Sequence, residues 1–234
     1  MEELLPRLMG GGGWIFHLLF YRIPKNASTS MSEHLGQFNL IKKYEKRFHE
    51  LADKKLYRGW FDPTHAKPNE VYNVLKREMA NYFSFCIVRN PWDRAVSMYY
   101  FAQKNDLGRL YNIKTEMTFE VFCELLKDYE HDPYFIASHK QTQWMEGFYP
   151  PKEILRFENL QEEFAQMLKE YNISHIHPEL PHKNSTNHKF YQDYFNSNTK
   201  EIIKQVFEKD IDLSLIHISE PTRQAEISYA VFCL

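Results

Sequence analysis

Tyr21-Arg22-Ile23-Pro24-Lys25-Asn26-Ala27-Ser28-Thr29-Ser30 is the stretch on which the fold turns. The apolar run Trp14–Ile23 leads into it and reads as a buried strand, and a helical pattern begins at about Ser30. The polar loop between them carries a lysine followed by hydroxyl side chains. A second stretch has the same plan: Phe85-Cys86-Ile87-Val88-Arg89-Asn90-Pro91-Trp92-Asp93-Arg94-Ala95-Val96-Ser97. Here the β-like segment Asn81–Val88 gives way to Asn90, suited to cap a helix, and Pro91, suited to its first position. A strand that passes through a polar loop into a helix points free N–H groups and the positive helix end at whatever sits over the loop, which favours phosphate. A pair of such junctions implies a ligand with phosphates at both ends.

The flanking sequence fits the same architecture. Val71, Val74, Leu75 and Met79 share one face of a helix over Asn69–Met79, which Pro68 can start. Phe119, Phe122, Cys123 and Leu126 are spaced as in a helix behind a Thr118 cap. Glu153–Phe157 reads as a short strand. Asn159, with Glu162 in capping-box position, opens a helix faced by Leu160, Phe164, Met167, Leu168 and Tyr171. Ile202, Ile203, Val206 and Phe207 mark a last helix. Strands alternating with helices predict an α/β fold: a single P-loop-like domain with a central, mostly parallel sheet flanked by helices. That domain is expected over 14–212, behind a flexible, glycine-rich leader at 1–13. From 213 to 234 the chain reads as a non-native tail. Leu213–Arg223 resembles a translated sequencing adapter, and Ile227–Leu234 resembles the primer that follows it. The natural sequence is therefore expected to differ after Asp212, and no function is read from His217, Pro221 or Cys233.

Composition narrows the function classes. A formal net charge of -2 over 234 residues gives no global basic field, so nucleic acid is not an expected partner and any anion site is local. The 3 cysteines are too few and scattered for a disulfide framework or a zinc site, which suits a reducing compartment. No apolar stretch reaches bilayer length, and the acidic start Met1-Glu2-Glu3 is unlike a signal peptide. The expected location is cytoplasmic, or the Golgi lumen if an N-terminal anchor is missing. Lys42–Arg47 reads as a solvated helix face because Glu45 and Glu50 intersperse it.

The first loop is not a Walker loop, which needs glycines and ends in Lys-Ser/Thr. Its lysine comes first. Ala27 keeps the backbone close to a ligand, and Lys25 can set an ammonium over a bridging oxygen as charge builds there. In the second stretch Arg89 stands at the strand end, and Ser97, further along the helix, could reach the same phosphate; a forked guanidinium suits that anion.

These two segments resemble the cofactor signatures of sulfotransferases that use 3′-phosphoadenosine 5′-phosphosulfate (PAPS). Pro24–Ser30 is similar to their 5′-phosphosulfate loop and Val88–Ser97 to their 3′-phosphate segment, in variants closer to the carbohydrate enzymes (family 2-like) than to the cytosolic aryl and steroid enzymes. Arg156–Leu160, and Leu180–Asn184 followed by Tyr191 and Tyr194, are weaker matches. The resemblance implies sulfuryl transfer from PAPS to a hydroxyl, with an amine as second choice, on an acceptor expected to be a carbohydrate. It implies that Lys25 neutralises the leaving oxygen and that Lys25, Asn26, Ala27, Ser28, Thr29 and Ser30 hold the 5′-phosphate. Arg89 and Ser97 would hold the 3′-phosphate. No metal is required, because the moving group carries less charge than a phosphoryl group. A hydroxyl acceptor needs a base. His65, in Asp62–Pro68, is the first candidate, with His131 and His139 as rivals; Gln141 or Gln143 matches a glutamine of the family's acceptor-facing segment. Trp60, Trp92 and Trp144 could stack on a sugar, but core packing is the simpler reading. A P-loop kinase or a non-catalytic nucleotide- or glycan-binding module stands as the alternative. The kinase would need a Walker lysine and magnesium-binding acids, which the sequence does not display.

Overall fold

The computed structural model describes residues 8–10, 13–15, 17–51, 63–105, 116–181 and 190–214. Trp60, Asp62, His182–Asn184 and the tail beyond Ser214 lie outside them. The chain forms two compact units, Met1–Arg89 with Gln141–Ser185 and Asn90–Lys140 with Thr186–Leu234.

The first unit holds the sheet. Strands β3 (Leu18–Tyr21), β4 (Phe83–Val88) and β5 (Glu153–Arg156) lie side by side in that order, all parallel, with Phe20 opposite Phe85 and Cys86 opposite Ile154. Parallel neighbours require long crossovers, and the segments between these strands carry the helices that supply them. Alternation along the strands puts Leu18, Phe20, Phe83, Phe85, Ile87 and Leu155 into one core with Met31 and Leu35 of helix α1 (Ser28–Leu35). The same core takes Phe164, Met167 and Leu168, which lie on the later helix Leu160–Glu170. The Phe20 and Phe85 rings stack at 4.9 Å. Leu19, Tyr21 and Cys86, on the alternate positions, are also buried, so the strands read as nearly continuous apolar runs. Burial pushes the Cys86 thiol pKa far up.

The boundaries depart from the sequence reading where backbone geometry intervenes. The strand expected over Trp14–Ile23 is split: β2 (Gly13–Ile15) pairs antiparallel with β1 (Leu8–Gly10), and only Leu18–Tyr21 joins the parallel sheet. Part of the expected leader thus has a pairing partner, with Gly10 opposite Gly13. The helix expected over Asn69–Met79 stops earlier. Helices α2 (Leu40–Lys43), α3 (Glu45–Leu51) and α4 (Pro68–Leu75) follow α1, and Lys76, with φ of 52°, breaks α4 into a 3₁₀ turn, Lys76–Asn81. Asn159 does not cap its helix by a side-chain bond. A 3₁₀ turn, Phe157–Asn159, runs directly into that helix, and Glu163 accepts instead from the Arg156 backbone N–H at 2.6 Å and its Nε at 2.5 Å. Lys46 and Glu50 form a solvated pair at 3.8 Å, as expected for that face.

The second unit is helical: α5 (Pro91–Lys104), α6 (Phe119–Asp128), α8 (Ser197–Val206) and α9 (Glu208–Ser214), with Leu160–Glu170 of the first unit as α7. The caps are those the sequence predicts for α5 and α6. Asn90 Oδ1 accepts from the Trp92 N–H at 3.0 Å, and Thr118 Oγ1 from the Val121 N–H at 3.3 Å. Trp92 meets Phe195 edge to face at 5.2 Å and Phe119 meets Phe195 at 5.0 Å, so Trp92 is a packing residue. Cys123 is buried in α6, and its thiol pKa is also far raised by burial. Among the described residues no helix is long and apolar enough to cross a membrane.

Candidate active site

Both sequence signatures leave the sheet at its C-terminal edge, where ligands of parallel α/β sheets are bound. β3 ends at Tyr21, and the chain turns through Pro24–Ala27 into α1. Lys25 has φ of 69° and Ala27 has φ of 55°, while Asn26 between them is not left-handed. Backbone that alternates in hand gathers successive N–H groups into a concavity suited to an anion. Neither residue is glycine, so the conformation costs about 1–2 kcal/mol at each. Ala27 is the N-cap of α1 and offers no side-chain bond, which leaves the first N–H groups of the helix without a side-chain cap. Lys25, Ala27 and Ser30 are half-buried, Thr29 is exposed and Ser28 is buried.

Asn26 is fully buried, and its amide nitrogen is committed to the protein: Nδ2 donates to the Ile87 carbonyl at 2.7 Å and to Gln141 Oε1 at 2.5 Å. It supports the loop from beneath. Arg89, one residue past β4, is buried and held on three sides. Its N–H donates to Gln141 Oε1 at 2.9 Å and its carbonyl accepts from Gln141 Nε2 at 2.8 Å. Its Nη1 donates to the Lys25 carbonyl at 3.0 Å, and the guanidinium lies 4.2 Å from the Phe157 ring centroid. The strand-end arginine of one signature is therefore hydrogen-bonded to the lysine backbone of the other. Ser97 lies on α5 in the second unit and is buried.

His65 ends a 3₁₀ turn, Pro63–His65, that docks on the exit of β3. Its Nδ1 lies 2.6 Å from the Arg22 carbonyl. A carbonyl can only accept, so Nδ1 carries a proton, and in the neutral imidazole the lone pair is on Nε2. The Arg22 guanidinium donates to Thr64 Oγ1, and Trp144 Nε1 donates to the His65 carbonyl at 2.9 Å. Trp144 is fully buried and acts as a support for His65. Lys67 Nζ lies 5.5 Å from the Trp144 ring centroid, and burial, opposed by the nearby Glu70 carboxylate, lowers the Lys67 pKa from its ordinary value. The rival histidines belong to the second unit: His131 is exposed, and the His139 carbonyl accepts from Arg94 Nη1 at 3.1 Å. Gln141, one of the two glutamines that match the family's acceptor-facing segment, binds the Arg89 backbone and the Asn26 side chain. Sequence reasoning missed that role because it depends on contacts between distant parts of the chain. Among the described residues there is no cluster of three or more His, Cys, Asp or Glu side chains able to hold a metal ion.

A family model described as "Sulfotransferase family" matches residues 16–218. No curated protein and no solved structure matches the chain significantly.

Proposed function

The chain belongs to the sulfotransferase family, and from that premise we propose that it transfers a sulfuryl group from PAPS to a hydroxyl of a carbohydrate acceptor. The observation that carries this reading is the hydrogen bond from Arg89 Nη1 to the Lys25 carbonyl, 3.0 Å, which joins the two phosphate signatures at one edge of the sheet. An alternately handed loop at Lys25–Ala27 and the start of α1 offer N–H groups to the 5′-phosphate, with the Ser28, Thr29 and Ser30 hydroxyls beside them. The assignment of the 3′-phosphate to Arg89 and Ser97 rests on the sequence signature.

In the reaction so read, the acceptor oxygen forms a bond to sulfur while the bond from sulfur to the donor's phosphate oxygen breaks. The Lys25 ammonium neutralises the charge that grows on the departing oxygen. His65 Nε2 takes the acceptor's proton, and the Arg22 carbonyl, bonded to Nδ1–H, stabilises the imidazolium that results. His65 is favoured over His131 and His139 because its tautomer is fixed and because it is anchored to the segment that leads into Lys25.

The test is transfer of labelled sulfate from PAPS to a panel of glycans, phenols and lipids by the wild-type chain and Lys25→Ala. The expected result is transfer to a glycan by the wild type, a loss of 100-fold or more in the variant (about 3 kcal/mol of transition-state stabilisation), and retained but weaker binding of the product nucleotide PAP. Undiminished turnover in Lys25→Ala overturns the role given to the lysine.

A further inference from the structure

We propose that Gln141 is a positioning residue that sets the spacing of the two phosphate cradles, so that the chain discriminates a nucleotide phosphorylated at both ends from one phosphorylated at a single end. This inference rests on the PAPS reading above and assigns a source to its donor selectivity.

Gln141 opens a 3₁₀ turn, Gln141–Trp144, and is 2% exposed. Its amide orientation is fixed by backbone groups whose roles are unambiguous. The Arg89 N–H must donate, so the atom at 2.9 Å is Oε1; the Arg89 carbonyl must accept, so the atom at 2.8 Å is Nε2. Gln141 thus takes the place of a neighbouring strand for Arg89, one residue beyond the last β4–β5 pair, Val88 with Arg156. Oε1 has a second donor, Asn26 Nδ2 at 2.5 Å, and Asn26 also ties itself to the end of β4 through the Ile87 carbonyl at 2.7 Å. A single buried amide therefore contacts the floor of the Lys25 loop and both backbone polar groups of Arg89. The direct bond from Arg89 to the Lys25 carbonyl adds a further link between the same parts. Trp144, at the other end of the turn, holds the His65 carbonyl.

The functional consequence follows from how a two-ended ligand binds. Once one end is seated, the second binds at an effective concentration that depends on the distance between the sites. A rigid bridge keeps that distance at the value the ligand needs. Loss of the bridge loosens the spacing while leaving each cradle's own donors in place. Affinity for a one-ended ligand should then change little, and the added affinity of a two-ended ligand should fall.

Calorimetric affinities for PAP and for AMP, which lacks the 3′-phosphate, test this on the full chain. The wild type is expected to prefer PAP. Gln141→Leu removes the bridge and should reduce the PAP-over-AMP preference by about fivefold or more while AMP affinity stays within about twofold. Gln141→Glu keeps the accepting oxygen but loses the donor to the Arg89 carbonyl, and should fall between the two. Gln103→Leu removes an amide that bridges Tyr99 and the Met117 carbonyl in the second unit, and should leave the preference unchanged. An unaltered preference in folded Gln141→Leu or Gln141→Glu overturns the inference alone. A wild-type chain with no preference for PAP over AMP overturns the PAPS reading and this inference together. If neither variant folds, hydrogen exchange in the wild type decides: the Arg89 amide should gain more protection from PAP than from AMP, and equal protection overturns the proposal.

Discussion

Lys25 and Ala27 hold left-handed backbone that a glycine would adopt at little cost, and both lie in the loop that the sequence marks for phosphate. Strain of this kind persists where the surroundings over-determine it. At Ala27 the penalty has no side-chain compensation, since the residue makes no capping bond. Ala27→Gly should therefore stabilise the chain by about 0.5–1 kcal/mol, the relief of strain exceeding the added entropy of the unfolded chain. Urea denaturation measures this, and a loss of stability would show that the loop is not strained at Ala27. His65 permits a similarly narrow substitution. Asn places an amide nitrogen where Nδ1 sits, so His65→Asn should keep the bond to the Arg22 carbonyl while removing the basic Nε2. Its melting temperature should stay near the wild-type value while turnover falls by about 10²–10⁴-fold. Equal losses of PAP binding and turnover would instead mark His65 as structural.

Among the elements, the strand–helix junctions were the most legible. Asn90-Pro91 and Thr118 gave correct helix starts because capping is local chemistry, read within a few residues. The end of α4 at Lys76 was not legible, since a left-handed lysine has no signature in composition. Asn159 misled for another reason: the 3₁₀ turn ahead of it denies it the extended backbone of an N-cap. At the candidate site, the segments of Lys25 and Arg89 stood out in the sequence and are joined by a hydrogen bond, whereas the bridging contacts of Gln141 could not be read there. Its partners are Asn26 and Arg89, and only tertiary folding brings them to it. The start of β3 carries a titration of its own. His17 lies edge-on to Tyr82 at 5.9 Å and to Phe38 at 6.5 Å. Burial first, then the charges of Lys43 and His175, hold its pKa below the ordinary 6.5. The folded state therefore binds fewer protons than the unfolded state below pH 6.5, so this contribution to stability is complete above that pH and declines as pH falls through it. His17→Phe should flatten the pH dependence of stability below 6.5, as measured by denaturant midpoints; an unchanged slope would place the effect elsewhere.

On the scale of the whole molecule, a net charge of -2 supplies little long-range attraction for an anion, so the donor binding proposed above rests on local geometry. The two compact units are interleaved along the chain. Each unit is made of two separated stretches of chain, and no composition change or linker marks Arg89 and Lys140, two of the three points at which the chain passes from one unit to the other. The apolar periodicity that identified the individual helices is the same on either side of those points, so it could not reveal which helices share a core.

Cys86 lies in the first unit and Cys123 in the second, and both thiols are sealed from water and kept protonated by their surroundings. Nature has in effect installed one silent reporter in each half. With Cys233 replaced by serine, a maleimide dye should leave the native chain unlabelled and mark each half only when it opens. Mass spectrometry of labelled peptides along a urea gradient would then show whether the halves melt together or in sequence. Prompt labelling of either site without denaturant would contradict the burial described for it.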